Sequence, residues 1–339
     1  MVLDIILPTF NRVGLLARTL ESLRSARPAA GLDVRVLVVD NASTDGTRDL
    51  VGRQAAAFGG RLQYLFVGTP GKPYALNAGL AATDGELIGL IDDDEEVDAG
   101  WFETIRRHLG TAEDVDFIGG KCLPLWESAR PGWLGPGYLG VIGWVDPGPT
   151  PLTMDASYPG ILMGGNAVIR RTVLEQAGPY STALNRTGSK LLGCEDEDMY
   201  HRLLSQGARG RYVPDLIIYH HVPTGRLTKR YFRQWCFWRG VSLGVMDRTR
   251  PAAVRYLGGI PRYRIGRAVR GVQDLARHAV GLGRGADPAG RFESELACWD
   301  LAGFFWGKHV HRLEPGMPHL AGNPNRHASI GGTSREPSA

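Results

Sequence analysis

Strand-like and helix-like segments alternate through the first hundred residues of the chain. Apolar, largely β-branched runs predict buried strands at residues 2–7, 34–39, 62–67 and 87–91. Helical spacing of apolar residues, or turn and cap residues before a segment, predicts helices over residues 13–25, 47–58 and 75–82. This alternation predicts an α/β fold with a mostly parallel, doubly wound sheet. Such sheets bind ligands where loops leave the carboxyl ends of their strands.

The fourth predicted strand runs into five consecutive acids, in "GELIGLIDDDEEVD" at residues 85–98. Two unit charges about 4 Å apart repel by roughly 4 kcal/mol at an effective dielectric constant of about 20. Alternation along a strand would put Asp92 and Asp94 on one side and Asp93 on the other. Such a pair of carboxylates suits Mg²⁺ or Mn²⁺. A solvated acidic loop is the other interpretation, and the spacing of an EF-hand is missing.

A second acidic cluster opens a predicted helix in "GCEDEDMYHRLLSQG", residues 193–207. Acids in a first helical turn complement the helix dipole, which is a purely structural role. A carboxylate there could instead serve as a general base, with its pKa set by burial and by neighbouring acids. Both interpretations stay open on these residues alone.

The rest of the chain is less regular. Residues 131–160 contain 13 glycines or prolines, which predicts a long irregular loop. A helix is expected from about residue 171, a late strand in "RYVPDLIIYHH" at residues 211–221, and an amphipathic helix around residues 292–306. The four cysteines are scattered without a CxxC pair, so neither a zinc site nor a disulfide framework is expected. With no predicted signal peptide or membrane span, a cytoplasmic protein is expected.

Charge is distributed unevenly along the chain. Residues 1–221 carry a net charge of −7, residues 222–284 carry +12, and residues 285–339 carry −1. A basic block after an acidic body implies an anionic partner such as phosphates, nucleic acid or a lipid surface. Within "RYRIGRAVRGVQDLARHAV", apolar residues share one face and the arginines lie largely elsewhere. That pattern suits either peripheral contact with an anionic membrane through residues 222–284 or a packed helix with a solvated basic face. A nucleic-acid partner is not expected, because no recognisable binding module is present.

Six short motifs follow one another in a sensible order. They are "ILPTFNR" at 6–12, "VVDNASTDGT" at 38–47, "GKPYALNAGL" at 71–80, "LIDDDEEVDAGW" at 90–101, "GGNAVIRRTVLEQAG" at 164–178 and "GCEDEDMYHRL" at 193–203. The first four resemble the donor-binding half, and the last two the acceptor half, of family 2 inverting glycosyltransferases of the bacterial type. The resemblance covers roughly residues 2–240 and implies the GT-A fold.

This resemblance divides the chain into three parts. It implies a catalytic domain over residues 1–221, with a donor half of about 1–100 and an acceptor half of about 101–221. Residues 222–313 are expected to form a basic helical extension. Residues 314–339, rich in glycine, proline and serine, are expected to be a disordered tail.

The resemblance also implies roles for individual residues on the donor side. Pro8, Thr9 and Asn11 would line the nucleotide pocket. Asp40 would hydrogen-bond the base, and Asp45 and Lys72 would lie beside it. Asp92 would contact the ribose, with Asp93 in the same donor-binding motif, and Asp94 would help to hold a divalent metal, Mn²⁺ or Mg²⁺, on the donor diphosphate. The charges of that metal and diphosphate would offset the repulsion among the acids. Glu95, Glu96 and Asp98 are expected to face water or to cap the next helix.

On the acceptor side, Asp196 corresponds to the catalytic base of the family, and Glu195 would contact donor sugar or acceptor. Gly165 and Asn166 match the segment over which the donor sugar lies. His220 or His221 could complete metal coordination, or either could be a surface histidine beside a strand end. Arg226 could fold over the phosphates. Candidates for stacking on an acceptor ring are Trp133, Trp144 and Tyr158.

The implied function is metal-dependent, inverting transfer of a sugar from a nucleotide-sugar donor, expected to be UDP-linked, to a hydroxyl of a glycan or lipid-linked acceptor. A non-catalytic nucleotide-sugar or membrane-surface binding protein with the same fold is the alternative. A nucleotidyltransferase fits less well, because "LPTFNRVGLL" is not a glycine-rich basic loop after the first strand. Location in the cytoplasm, with peripheral contact on the inner face of the membrane, would suit a lipid-linked acceptor.

Overall fold

One large mixed sheet forms the centre of the protein. The computed structural model describes residues 1–110, 114–158, 160–185, 191–280 and 287–311. Within these ranges the sheet has nine strands, in the order β3-β2-β1-β4-β8-β6-β9-β5, and β7 pairs with β9. The strands are β1 (Val2–Thr9), β2 (Asp33–Asp40), β3 (Leu62–Phe66), β4 (Leu87–Leu90), β5 (Glu95–Val97), β6 (Phe117–Trp126), β7 (Leu152–Met154), β8 (Ala167–Arg170) and β9 (Gly210–Val222).

The first four strands are parallel, as the alternation of segments predicts. β1 lies between β2 and β4, and β3 pairs with the outer side of β2. Parallel strands in such a sheet are buried on both faces, which is why their sequences are continuously apolar. Alternate residues of β1 enter two separate cores: Leu3 and Ile5 pack on one face of the sheet and Ile6 on the other.

Helices cover both faces of the sheet. The helices are α1 (Val13–Ser25), α2 (Thr47–Gln54), α3 (Lys72–Ala81), α4 (Trp101–Leu109), α5 (Arg171–Ala177), α6 (Glu195–Ser205), α7 (Lys229–Thr249), α8 (Arg262–Ala279) and α9 (Pro288–Phe305). Buried residues of α1, α2 and α4 share the core that contains Leu3. Those of α3, α5 and α6 share the core that contains Ile6. The doubly wound arrangement predicted from the sequence is confirmed.

The second half of the sheet is mixed rather than parallel. β8 runs antiparallel to both β4 and β6, and β9 runs parallel to β6. The start of β8 therefore lies at the same edge as the ends of β4 and β9. This topology brings the acids after β4, the glycines before β8 and the histidines that end β9 to one edge of the sheet.

The predicted extension packs against the long loop after β6. Leu134 and Ile142 of that loop share an apolar core with Phe232 of α7 and Phe292 of α9. α7 and α9 cross closely at Gly303, where an added Cβ would collide with the Phe237 carbonyl oxygen. A short hairpin, β10 (Tyr256–Leu257) and β11 (Ile260–Pro261), precedes α8.

Two aromatic residues proposed for acceptor stacking belong to these cores. The Trp133 ring packs edge-on against the rings of Phe232 and Phe292, at centroid distances of 5.2 and 5.1 Å. Tyr158 is buried in the core that contains Ile6. The stacking prediction is therefore wrong for Tyr158, whose ring is buried, whereas Trp133 is half-buried and stays a candidate. Trp144 is half-buried and remains a candidate.

The predicted domain boundary falls where β9 ends at Val222. The division into a catalytic domain and an extension stays a prediction, and the predicted tail over residues 314–339 lies outside the described residues. Among the described helices, none combines the length and the apolar character that crossing a bilayer requires.

Candidate active site at the carboxyl edge of the sheet

The three consecutive aspartates after β4 do not continue the strand. β4 ends at Leu90, and the Glu95 amide donates to the Asp92 carbonyl at 3.2 Å, which closes a turn over residues 92–95. As a result, Asp93 and Asp94 both contact Arg12, whereas Asp92 contacts Lys72. The prediction that Asp92 and Asp94 point to one side and Asp93 to the other is wrong, because the alternation of side chains along a strand does not extend into a turn.

Asp94 is a buried carboxylate held by two arginines. Its Oδ2 accepts from Arg12 Nη1 at 2.8 Å and from Arg226 Nη2 at 3.2 Å. Asp94 is only 4% exposed, so its charge is almost fully removed from bulk water. Buried charges of this kind persist in proteins only when oppositely charged groups pair with them. Arg226, expected to lie over phosphates, thus lies at the acid cluster itself.

His220 lies beside Asp94 in an orientation that suits a metal ligand. Its Nε2 is 3.6 Å from Asp94 Oδ2, and its Nδ1 is 2.8 Å from the Ile142 carbonyl oxygen. Because a carbonyl only accepts and a guanidinium only donates, Nδ1 carries the proton and Nε2 accepts from Arg226 Nη1 at 3.1 Å. An imidazole that presents the Nε2 lone pair beside a carboxylate has the arrangement that a divalent cation would need.

The protein alone supplies an incomplete metal site. Among the described residues, no group of three or more histidine, cysteine, aspartate or glutamate side chains is placed to hold a metal ion. Asp94 and His220 would supply two ligands, and Mg²⁺ or Mn²⁺ commonly takes its remaining oxygens from substrate phosphates and water. The donor set therefore fits a metal that arrives with a diphosphate.

His221 faces away from this pair. Its Nε2 lies 2.7 Å from Glu96 Oε1, and Glu96 also pairs with Arg18 at 2.8 Å. Successive side chains of β9 point to opposite faces, so only one of the two histidines can face Asp94. The structure brings His220, and not His221, to the proposed metal site.

Asp93 ties the acid turn to the end of β1. Its Oδ2 accepts from the Thr9 hydroxyl at 2.8 Å, and its Oδ1 accepts from Arg12 Nη1 at 2.9 Å. Burial, reinforced by the adjacent Asp94 and opposed by Arg12, raises the pKa of Asp93 to about 6. Pro8 lies in the same buried strand end as Thr9. Thr9 was predicted to contact a nucleotide, but in this structure its hydroxyl donates a hydrogen bond to Asp93.

Lys72 joins the two acidic clusters. Its Nζ lies 2.8 Å from Asp92 Oδ1, 3.8 Å from Glu195 Oε1 and 3.9 Å from Asp196 Oδ2. Burial disfavours the ammonium, but Asp196, Asp92 and Glu195 outweigh it and hold the pKa of Lys72 well above its ordinary value. The sequence-based prediction placed Lys72 beside the nucleotide base. In the structure it lies between the acid turn and the first turn of α6.

Asp196 has the properties of a general base. Burial, together with Glu195 and Asp92 and against the effect of Lys72, raises the pKa of Asp196 to about 7. Its Oδ1 is buried and accepts no hydrogen bond from the part of the chain that the structure describes. A carboxylate with a pKa near neutrality and an uncommitted oxygen can remove a proton from a neighbouring hydroxyl.

The other acids of the second cluster have structural partners. Glu197 pairs with Arg239 of α7 at 3.3 Å, and Asp198 pairs with Arg202 at 3.0 Å and with Arg250 at 3.1 Å. The structural interpretation of this cluster therefore applies to Glu197 and Asp198. Glu195 and Asp196 face Lys72 instead, so the cluster divides into two pairs with different surroundings.

Glu95 does not lie where the sequence-based expectation put it, facing water or capping the next helix. It is 4% exposed, and its carboxylate accepts from the Asp92 amide at 2.8 Å. Burial, with Asp92 and Asp94 nearby, raises the pKa of Glu95 well above its ordinary value. Glu95 does not face water, because β5 pairs with β9 and turns its side chain inward. Asp98 lies just before α4 without capping it: its Oδ1 accepts from the Gly100 amide at 2.8 Å, and α4, whose N-cap residue is Gly100, has no side-chain cap.

The segment before β8 contacts both carboxylates through glycine. An added Cβ at Gly164 would collide with the Asp196 carboxylate, and one at Gly165 would collide with Glu95. Asn166 is fully buried: its Oδ1 accepts from Trp101 Nε1 at 3.0 Å, and its Nδ2 donates to the Lys121 and Leu216 carbonyls at 2.9 Å each. Its side chain is therefore committed to the core, and only backbone is left for a ligand.

Three predicted nucleotide contacts hold the loops after β1 and β2. Asn11, with a φ of 52°, accepts from the Thr44 amide through its side-chain oxygen at 2.7 Å. Asp40 accepts from the Tyr64 hydroxyl at 2.7 Å and from the Ser43 amide at 2.8 Å. Asp45 accepts from the Val13 amide at 3.0 Å. These contacts fix the shape of the loops that flank the acid turn.

Two residues of this site escaped the sequence analysis. Arg12 is the last residue of the "ILPTFNR" motif, and its position just after β1 at the carboxyl edge is the signal that could have identified it. Asn41 follows Asp40 and holds the loop before α3, because its Nδ2 donates to the Thr69 carbonyl at 2.7 Å and its Oδ1 accepts from the Gly71 amide. No sequence pattern indicates that loop contact.

Comparison with known proteins identifies the family. The family model described as "Glycosyl transferase family 2" matches residues 4–178. A glucosyl-dolichyl phosphate glucuronosyltransferase of Haloferax volcanii is 24% identical over 184 residues, which is 54% of this chain and 58% of that protein. A GalNAc(5)-diNAcBac-PP-undecaprenol beta-1,3-glucosyltransferase of Campylobacter jejuni is 28% identical over 123 residues, covering 36% of this chain and 38% of that protein. The chain thus aligns with less than two thirds of either relative.

A solved structure shares the fold. The mannosyltransferase PcManGT from Pyrobaculum calidifontis, in complex with GDP-Man and Mn²⁺, superposes with a TM-score of 0.58 at 20% identity. The match covers 91% of this chain and 87% of that one, so it includes the helices after β9. The predicted GT-A fold with a C-terminal helical extension is confirmed.

Replacing the partly buried Asp196 carboxylate should change how stability depends on pH. A raised pKa means that the folded state keeps a proton that the unfolded state loses between about pH 4 and about pH 7, so wild-type stability falls over that range. Asp196→Asn removes this loss. Its unfolding free energy relative to wild type should therefore rise by roughly 2 kcal/mol between about pH 5 and about pH 8.

Urea denaturation at the two pH values measures this difference. The control is Asp49→Asn, an exposed acid of α2, which should follow wild type at both. An Asp196→Asn stability difference that stays constant with pH would contradict the burial argument.

Proposed function

The chain belongs to glycosyl transferase family 2, and on that basis we propose that it is a metal-dependent, inverting glycosyltransferase of the hexosyltransferase type. It moves a sugar from a nucleotide-diphosphate sugar to a hydroxyl of a glycan or lipid-linked acceptor by single displacement. The observation that carries the proposal is the cluster around Lys72, which places a carboxylate with a free oxygen, Asp196, next to the acid turn.

Asp196 takes the proton of the acceptor hydroxyl as that oxygen attacks the anomeric carbon. Its pKa of about 7 leaves a substantial ionised fraction near neutral pH while keeping the carboxylate basic enough to accept a proton. Lys72 holds Asp196 in place without a tight hydrogen bond, since Nζ is 3.9 Å from its Oδ2 and 2.8 Å from Asp92. The backbone of Gly164 and Gly165 leaves room for the donor sugar beside the base.

The leaving group is a nucleoside diphosphate, whose charge must be neutralised as it departs. Asp94 and His220 would hold a divalent cation, which when bound would offset the charge of the diphosphate. Arg12 and Arg226 place two guanidinium groups at the same position. Fixed positive groups aimed at developing negative charge stabilise a transition state more than mobile water does.

The donor is proposed to be a UDP-sugar, as the resemblance to the family suggests. A guanosine donor is the main competitor, because the structural neighbour PcManGT was solved with GDP-Man and Mn²⁺. Asp40, whose carboxylate is engaged by Tyr64 and Ser43, contacts the base only if it exchanges one of these partners.

The acceptor is proposed to be lipid-linked. The names of two relatives refer to dolichyl phosphate and to PP-undecaprenol, which are lipid carriers. Trp144 is one of two half-buried candidates, with Trp133, for contact with an acceptor ring. It is near the proposed metal ligand His220, because a Cβ added to the adjacent Gly143 would lie 3.0 Å from His220 Nδ1.

Turnover by variants of the two acidic clusters tests the proposal. Purified protein with Mn²⁺ and a panel of UDP-, GDP- and dTDP-sugars should release nucleoside diphosphate from one of them in the presence of lipid-linked saccharide. Asp196→Asn should lower this rate by about 10²–10⁴-fold, because the base is lost while the donor site is kept. Glu197→Gln, in the same helical turn but paired with Arg239, should lose far less.

Equal turnover by wild type and Asp196→Asn would remove Asp196 from the mechanism. Donor binding without turnover of any sugar in the panel would favour the alternative, a non-catalytic nucleotide-sugar binding protein with this fold.

Peripheral contact with an anionic membrane is proposed for α8. Val269 and Val272 of this helix are 49% and 57% exposed, and Val280, just after it, is 69% exposed. Arg270 and Arg277 lie on the same exposed side of the helix, and α8 packs on α9 through Ala268 and Gly271. An apolar stripe bordered by arginines suits the surface of an anionic bilayer, and a lipid-linked acceptor would be presented there.

Sedimentation with lipid vesicles measures this contact. Wild type should bind phosphatidylglycerol vesicles and not phosphatidylcholine vesicles, and Val272→Glu and Arg270→Glu should each weaken binding about fivefold or more. Arg53→Glu, an exposed arginine of α2 outside the basic block, should bind like wild type. Equal binding by Arg270→Glu and Arg53→Glu would exclude α8 as the contact.

A further inference from the structure

The two protein atoms proposed to hold the metal, Asp94 Oδ2 and His220 Nε2, are both in contact with guanidinium groups. Asp94 Oδ2 accepts from Arg12 Nη1 at 2.8 Å and from Arg226 Nη2 at 3.2 Å. His220 Nε2 accepts from Arg226 Nη1 at 3.1 Å. A cation bound to these two atoms would take the single lone pair of Nε2 from Arg226, and its charge would repel both guanidinium groups.

We propose that Arg12 and Arg226 are exchangeable counter-ions: they neutralise the acid turn in the donor-free protein, leave Asp94 and His220 when metal and nucleotide bind together, and then contact the donor diphosphate. This inference rests on the proposed function and deepens it. It assigns Arg12 a role in donor binding and makes the two arginines responsible for coupling metal binding to nucleotide binding.

The buried acids of this turn require such counter-ions. Asp93, Asp94 and Glu95 are each 4% exposed within three consecutive positions. Removing one partner of a buried ion pair is strongly destabilising, because the remaining charge is left without compensation. Arg12 alone serves two of these carboxylates, since its Nη1 is 2.9 Å from Asp93 Oδ1 and 2.8 Å from Asp94 Oδ2.

The same charges explain why the exchange needs both ligands. A metal ion arriving alone would displace two guanidiniums and leave them without partners beside a new positive charge. A diphosphate arriving with the metal offers those guanidiniums phosphate oxygens, which arginine binds in a bidentate manner. Metal and nucleotide should therefore strengthen each other's binding by the same factor.

The two arginines are placed for such an exchange. Arg12 lies where β1 ends and α1 begins, and its side chain is 40% exposed, so it can move without opening the core. Arg226 lies in a short turn after β9, with its side chain 20% exposed.

The experiment titrates Mn²⁺ into the full-length protein alone and with saturating UDP or GDP, following free Mn²⁺ by electron paramagnetic resonance. Wild type should bind Mn²⁺ weakly alone and at least about tenfold more tightly with the preferred nucleotide. Arg12→Met should bind Mn²⁺ alone about tenfold more tightly than wild type, because one competing cation is gone. Added nucleotide should increase the Mn²⁺ affinity of Arg12→Met less than that of wild type, because the variant also lacks the proposed contact between Arg12 and the diphosphate.

One variant serves as a matched control, and another tests the same prediction at the second arginine. Arg24→Met removes an arginine of α1 that pairs with Glu21 and should match wild type in every titration. Arg226→Met should shift Mn²⁺ affinity in the same direction as Arg12→Met, so the conclusion does not depend on one variant folding well.

The outcomes separate the inference from the proposed function. If wild type binds Mn²⁺ more tightly with nucleotide, but Arg12→Met and Arg226→Met bind Mn²⁺ alone no better than wild type, the exchange is refuted and the metal site stands. If nucleotide leaves Mn²⁺ binding by wild type unchanged, the metal-dependent function is refuted, and the inference with it.

Discussion

Compensation of crowded carboxylates by a few cations is the interaction on which this site depends. Asp92, Asp93, Asp94 and Glu95 follow one another in a turn, and three of the four are almost fully buried. Lys72 and Arg12 contact three of them and connect the turn to two other parts of the chain, the start of α3 and the end of β1. Without these cations the repulsion among buried like charges would oppose folding of the turn.

The fold brings these charges together by its sheet topology. The antiparallel β8, between β4 and β6, puts its preceding glycines at the edge where β4 and β9 end. Gly164 and Gly165 then contact Asp196 and Glu95 through backbone alone. The helices after β9 take part as well, because α7 holds Glu197 of α6 through Arg239, one residue from the proposed base.

The sequence predicts the local structure of this protein well and its long-range contacts poorly. The continuous apolar run of β2 and the helical spacing of α1 depend only on neighbouring residues, and both elements form as predicted. By contrast, the amide of Asn166 is committed to Trp101, and the Trp133 ring to Phe292, through contacts that only the tertiary fold creates. Asp94 was proposed because it lies in the motif at residues 90–101, and His220 or His221 because both end a predicted strand, whereas the role of Arg12 depends on contacts with residues about eighty positions away.

The measurement that tests the account most directly is a calorimetric titration of the purified protein with UDP, GDP and dTDP, each with and without Mn²⁺. If the acid turn receives a metal with a nucleoside diphosphate, one nucleotide should bind selectively, and at least about tenfold more tightly when Mn²⁺ is present. Binding that is equally weak for all three nucleotides and indifferent to Mn²⁺ would contradict the account. The negative charges of the acid turn would then be neutralised by Arg12, Arg226 and Lys72, and the turn would not bind a metal or a nucleotide.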